Sequence, residues 1–163
     1  MNDKDEWETP QDLYTDLNEI FTFDVDLCAT KYNHKTCNFV EDLLHETAVD
    51  FAFMADHGVS CAFMNPPYSN IGPFLEKAWE ASRFFKVVCL VPNTIKTCKY
   101  MDFLDENNGA YYLRRWKAGV RFRDLSRRTK FTHPRLAPSS PNFGCMLIIF
   151  DRLSEIHNEY IIR

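Results

Sequence analysis

Apolar and polar positions along the 163-residue chain switch between two periods. Over residues 11–20, Leu13, Leu17 and Ile20, with Tyr14, recur at helical spacing, and Pro10 stands where a first helical turn tolerates proline. The stretch Phe23-Asp24-Val25-Asp26-Leu27-Cys28 alternates and predicts a strand, whereas residues 30–58 are mixed and predict no element. Residues 59–64 form a short apolar run that stops at Pro66 and Pro67, the pattern of a buried strand entering a loop. A helix follows over 71–85, with Phe74, Leu75, Ala78 and Trp79 on one side. Residues 87–91 predict a second buried strand, ended by Pro92. A weaker helix over 97–106 is closed by Asn107-Asn108-Gly109, and 110–113 is a strand candidate. Cys145-Met146-Leu147-Ile148-Ile149-Phe150 is the clearest strand, and 160–162 a short edge strand.

Buried strands without alternation, each near a helix, imply a sheet covered on both faces, an α/β three-layer sandwich. Open sheets of this class bind ligands beyond the carboxyl ends of their strands. Attention therefore falls on the residues just after Cys28, Met64 and Val91.

Composition narrows the class. With 45% hydrophobic and 26% charged residues, the chain has the makeup of one globular domain, which excludes disorder, collagen-like repeats and coiled coil. A net charge of -4 and a pI of about 5.7 argue against a nucleic-acid partner when averaged over the chain. The distribution reverses that reading. Residues 111–135 hold nine Lys/Arg against one acid, Asp124, which leaves ten basic residues against 22 acidic ones elsewhere. The six cysteines are scattered without a CxxC pair, and no apolar run reaches membrane-spanning length. The Met-Asn-Asp-Lys-Asp-Glu start has no secretory character. A reducing cytoplasm, no membrane and no disulfide framework are expected. Cys28, His34, Cys37 and His45 follow no zinc spacing, so no metal is expected.

The chemistry concentrates in Asn65-Pro66-Pro67-Tyr68. Methylating a planar exocyclic amine or amide nitrogen is difficult because its lone pair is delocalised. Two acceptors aimed at its N–H bonds favour a tetrahedral nitrogen with an available lone pair. The Asn65 side-chain oxygen and the Pro66 carbonyl supply such acceptors, and Pro66 and Pro67 stiffen the segment that carries them. The Tyr68 ring offers a face on which an extruded base can stack. The tetrapeptide alone does not choose among adenine N6, cytosine N4, a guanine N2 in RNA and a glutamine side chain.

Three motifs in order, Trp7-Glu8-Thr9-Pro10, Phe23-Asp24-Val25-Asp26-Leu27-Cys28-Ala29-Thr30 and Asn65-Pro66-Pro67-Tyr68, resemble the Dam-type DNA N6-adenine methyltransferases of phages and prophages. The likeness runs from about Asp5 to Phe150, where Ala137-Pro138, Phe143 and the strand 145–150 resemble the family's closing strand. It implies a Rossmann-like fold with a mostly parallel sheet, S-adenosylmethionine as methyl donor and N6-methyladenine in DNA as product. It further implies donor contacts from Trp7, Thr9 and Pro10, with the Thr9 hydroxyl on the methionine carboxylate. Thr9 also reads as a helix N-cap, a role compatible with a carboxylate at the helix start. Asp26, with Cys28 and Ala29, stands where the family binds the donor ammonium, although the loop after Cys28 has no glycine. Asn65 belongs to both the donor and the catalytic set. For the donor nucleoside, Asp50 with Phe51 is favoured over Asp42.

The basic stretch contains Arg114, Arg115, Lys117, Arg121, Arg123, Arg127, Arg128, Lys130 and Arg135, interleaved with Trp116, Phe122 and Phe131. Such residues neutralise phosphates and stack on bases. Residues 114–136 therefore read as a DNA-facing insertion in a single domain spanning 1–163, with 126–135 a loop that orders on DNA. In the resembling family a basic-aromatic element holds the flipped base opposite the tyrosine, and Phe122 is favoured over Phe131 for that place. The alternatives are RNA or protein-glutamine methylation on the same fold, and a non-catalytic nucleic-acid or donor-binding module. Monomer and homodimer both stay open. Likeness to phage enzymes suggests protection from restriction nucleases in a host cytoplasm.

Overall fold

The computed structural model describes residues 7–45, 49–93, 119–125, 129–139 and 144–153. Helix α1 (Gln11–Phe21) is followed by strand β1 (Val25–Asp26), helix α2 (Phe51–Asp56), strand β2 (Cys61–Met64) and helix α3 (Ile71–Ala81). Strands β3 (Lys86–Pro92), β4 (Val120–Asp124) and β5 (Cys145–Phe150) complete the sheet. The helix expected over 97–106 and the strands expected over 110–113 and 160–162 lie outside the described residues.

The sheet order is β1-β2-β3-β5-β4. Strands β1, β2 and β3 are parallel, β5 runs antiparallel to β3, and β4 runs antiparallel to β5. Among the described residues, four strands thus share one direction and β5 is reversed. The chain is a mixed α/β protein. Alternating side chains feed two cores. Ala62, Met64, Val87, Cys89, Val91, Met146 and Ile148 meet α2 and α3 on one face. Cys61, Phe63, Val88, Leu90, Leu147 and Ile149 meet Tyr14 and Leu17 of α1 on the other. This two-sided cover explains the unbroken apolar runs in the sequence.

Local chemistry fixes the elements. Helix α1 ends at Thr22, whose φ of 56° is left-handed and whose N–H donates to the Asn18 carbonyl. Pro73 falls in the first turn of α3, where its missing N–H costs nothing. Leu75, Ala78 and Ala81 of α3 are fully enclosed by the sheet. The Asp24 carboxylate accepts from Ser60 N, Ser60 Oγ and Cys61 N at 2.8–3.0 Å, which pins the start of β2 beside β1. At the other edge, Gly119 has φ 101°, and a Cβ there would sit 2.6 Å from the Asp151 carbonyl oxygen. Glycine is required at that crossing of β4 and the end of β5.

Two expectations change. The expected insertion contains β4, a strand of the sheet that alternates Val120 and Phe122 into the core with Arg121 and Arg123 on the opposite face. Its partner β5 also carries the chain close to the 129–139 strap. There Phe131 and Ser139 exchange both backbone hydrogen bonds, and Thr132 does the same with Glu8, so this part of the loop is tied to the chain before α1.

Candidate active site

A cavity of about 740 Å³ opens beyond the carboxyl ends of β1 and β2. Its size suits a ligand pocket. From β1 and the loop after it come Asp26, Cys28 and Ala29; from the entry to α1 come Trp7, Glu8 and Thr9. Asn65, Pro66, Pro67 and Tyr68 follow β2 directly, and Phe131 with Ser139 closes the strap side. Three motifs dispersed over some sixty residues of sequence therefore meet in one hollow.

Asp26 is the cavity's buried acid, at 3% exposure. Its two carboxylate oxygens accept from Cys28 N at 3.2 Å and Lys35 N at 3.1 Å. Burial nevertheless outweighs these bonds and raises its pKa from 3.8 to about 6, with the Lys35 and His34 charges opposing the rise. The glycine-free loop after it has a simple explanation. Ala29 N donates to the Val40 carbonyl, and among the described residues Thr22 is the sole non-glycine with positive φ. The loop has no left-handed position for glycine to fill.

Thr9 does not cap α1 with its side chain. Pro10 occupies the residue before the helix, one place earlier than the first helical position, and no side chain caps the helix start. The Thr9 hydroxyl, on a residue only 2% exposed, instead accepts from Asn65 Nδ2 at 2.9 Å. Tyr68 opens a 3-10 turn, Tyr68–Asn70. Its hydroxyl donates to the Leu90 carbonyl of β3 at 3.2 Å, and burial holds the phenol neutral, well above its ordinary pKa. That anchor fixes the ring plane at the cavity wall. Phe131 stands edge-on to it, with ring centroids 6.0 Å apart and planes at 90°. The strap is further held by Trp7 against His133, centroids 4.8 Å apart.

Several expected residues lie elsewhere. Asp50 caps α2, accepting from Phe53 N at 3.0 Å, and Phe51 packs edge-on against Phe85 in the core. Neither lines the cavity, whereas Asp42, Leu43 and Leu44 do. The physical reason is that Asp50 spends its carboxylate on an unpaired helix N–H and Phe51 is drawn into the apolar layer beneath. Phe122, 6% exposed, packs in the core on the α2–α3 face of the sheet, and Phe131, 5% exposed, in the core on the opposite face; Phe131 stands edge-on to Tyr68. Arg121 donates to Asp151 at 3.0 Å, near the end of β3 opposite the cavity. Arg123 and Lys130 are exposed. Arg114, Arg115, Lys117, Arg127 and Arg128 lie outside the described residues. The segment 30–44 contributes Thr30, Asn33, Lys35 and Glu41 to the lining, none of which its mixed pattern signalled.

The family model described as DNA N-6-adenine-methyltransferase (Dam) matches residues 1–161, nearly the whole chain. The chain belongs to the Dam family. Within a curated relative, the DNA N-6-adenine-methyltransferase of Haemophilus phage HP1, 33% identity holds over 109 residues. That stretch covers 65% of this Dam-family chain and 60% of the relative's length. Among the described residues, no helix of the Dam-family chain is long and apolar enough to cross a membrane.

Proposed function

We propose that this chain transfers a methyl group from S-adenosylmethionine to adenine N6 in DNA, on a Rossmann-like fold. The observation that carries the reading is the meeting of Asn65-Pro66, the paired rings Tyr68 and Phe131, and the buried carboxylate Asp26 in one cavity. Family membership and the phage relative's name support the same reaction. Bound in the cavity, S-adenosylmethionine would supply an electrophilic methyl on a sulfonium.

The residues fit that donor. Asp26 is a buried acid that forms no direct ion pair among the described residues, although the Lys35 and His34 charges reach it, and it would accept from the donor ammonium. Trp7, Cys28 and Ala29 wall the same end, and Asp42 replaces Asp50 as the acid for the nucleoside hydroxyls. At the other end Tyr68 and Phe131 would hold an extruded adenine, a contact worth roughly 1–3 kcal/mol per stacked base. Asn65 Oδ1 and the Pro66 carbonyl would accept from the two N6 hydrogens and relieve delocalisation of the nitrogen lone pair. Exposed Arg123, Lys130 and Arg135 would meet phosphates.

Incubation with labelled donor and equal amounts of duplex DNA and structured RNA tests the acceptor. Label in DNA is expected; label confined to RNA would move the reaction to a different nucleic acid.

A further inference from the structure

The proposed donor carries an ammonium, a sulfonium and a carboxylate, and the carboxylate has so far no partner. Glu8, Asp26, Glu41 and Asp42 line the cavity as acids, and among the described residues its lining holds one basic side chain, Lys35. Of the charged groups there, Lys35 alone attracts a carboxylate and the four acids repel it. Thr9, which the likeness to the family matches to the carboxylate, offers a neutral hydroxyl that is already bonded to Asn65 at 2.9 Å.

Lys35 is also well placed. Its backbone N–H donates to Asp26 Oδ2 at 3.1 Å, so the residue that carries the cation is bonded to the acid assigned to the donor ammonium. Its side chain is 12% exposed, and its Nζ lies 4.0 Å from Glu8 Oε2. That distance is an ion pair beyond hydrogen-bond reach, and the Lys35 ammonium, with three donors, makes no hydrogen bond among the described residues. A largely buried cation in that state gains from a charged acceptor. Glu8 stays where it is because its backbone exchanges hydrogen bonds with Thr132 at 2.7 and 3.0 Å, so the ion pair holds Lys35 at the cavity wall. The ammonium and carboxylate of an amino acid share one carbon, so a donor whose ammonium meets Asp26 has its carboxylate within the same small region. We infer that Lys35 binds the methionine carboxylate and makes the site selective for a donor that keeps its whole amino-acid end. The inference rests on the proposed function and gives a residue to the one charged group of the donor that Asp26 cannot hold.

The test is calorimetric and needs no turnover. S-adenosylmethionine and its decarboxylated form, which keeps the ammonium and the sulfonium, are titrated into the wild type and into Lys35→Met. The substitution keeps the apolar stem and leaves the backbone bond to Asp26 in place. The wild type is expected to prefer the intact donor by about 10–100-fold. Lys35→Met should lower affinity for the intact donor by a similar factor. Its affinity for the decarboxylated form should hold or rise, because removing a cation favours the more positive ligand. Lys35→Arg, which keeps the charge, should lose less than Lys35→Met. Equal losses for both ligands would make Lys35 a structural residue of the Asp26 loop and overturn the inference, as would equal wild-type affinity for the two. Should Lys35→Met fail to fold, Lys35→Gln is read in the same way. A wild type that binds no S-adenosylmethionine overturns the proposed function and this inference with it. A wild type that binds it, with an unaffected Lys35→Met, overturns the inference alone. A wild type that shows the expected binding pattern yet methylates no DNA overturns the proposed reaction and supports the carboxylate site.

Discussion

Phe131 stands edge-on to Tyr68, with centroids 6.0 Å apart, although one follows β2 and the other lies on the strap beyond β4. Tyr68 is anchored through its hydroxyl to β3, and Phe131 through its backbone to Ser139. In the proposed reaction these two independently fixed rings would give a flat base a defined place. Replacing Phe131 by Leu keeps apolar volume and removes the ring. DNA binding should weaken by about 1–3 kcal/mol while donor affinity holds, as read by titration of each ligand. Phe122→Ala should behave oppositely, with about 3–5 kcal/mol lost from unfolding stability in denaturant.

Asp42 and Asp50 make a second contrast. Asp42 lines the cavity, and Asp50 caps α2. Asp42→Ala should weaken donor binding by calorimetry without lowering the melting temperature. Asp50→Ala should cost about 1 kcal/mol of stability, the usual worth of an N-cap, and leave donor affinity unchanged. The reverse pattern would return the donor nucleoside to the Asp50 side.

The raised pKa of Asp26 gives two pH dependences of opposite sign. Burial lifts it from 3.8 to about 6, so the ligand-free fold prefers the neutral acid. Its contribution to stability is present below pH 3.8 and is lost as pH rises through about 6. A cationic donor prefers the carboxylate, so donor affinity should rise over that interval and level off above about 6. Because Lys35 and His34 both act on Asp26, the control is Asp26→Asn, which should flatten the inflection. An inflection that survives the substitution would assign it to another group.

The basic residues should separate by their partners. Arg121 is paired with Asp151, which Lys86 also approaches at 3.7 Å. Arg123 and Lys130 are exposed. Changing Lys130 to Gln should reduce the slope of log affinity for DNA against log salt by about 0.9. Arg121→Gln should leave that slope intact and cost at most about 1 kcal/mol of stability.

The sequence carried the strands β2, β3 and β5 because burial on both faces writes them as continuous apolar runs. It carried Asn65-Pro66-Pro67-Tyr68 because rigid residues at a strand end are a local signal. Strand β4 alternates as Val120-Arg121-Phe122-Arg123, but inside a run of basic residues that alternation has the same composition as a charged surface loop. What local pattern cannot express is the choice among equals. Asp42 and Asp50 are both acids in a mixed stretch, and only packing sends one to the cavity and the other to a helix end. Thr9 reads as a cap before Pro10, yet its hydroxyl is used across the molecule by Asn65.

Methyl transfer to adenine N6 can be read directly by nucleoside analysis. The protein is incubated with duplex DNA and labelled S-adenosylmethionine, the DNA is digested, and the nucleosides are separated. Label is expected in N6-methyladenine, lowered by about 10²–10³-fold in Asn65→Ala while that variant still binds donor. Bound donor with no labelled N6-methyladenine from the wild-type protein, or undiminished label from Asn65→Ala, would contradict it.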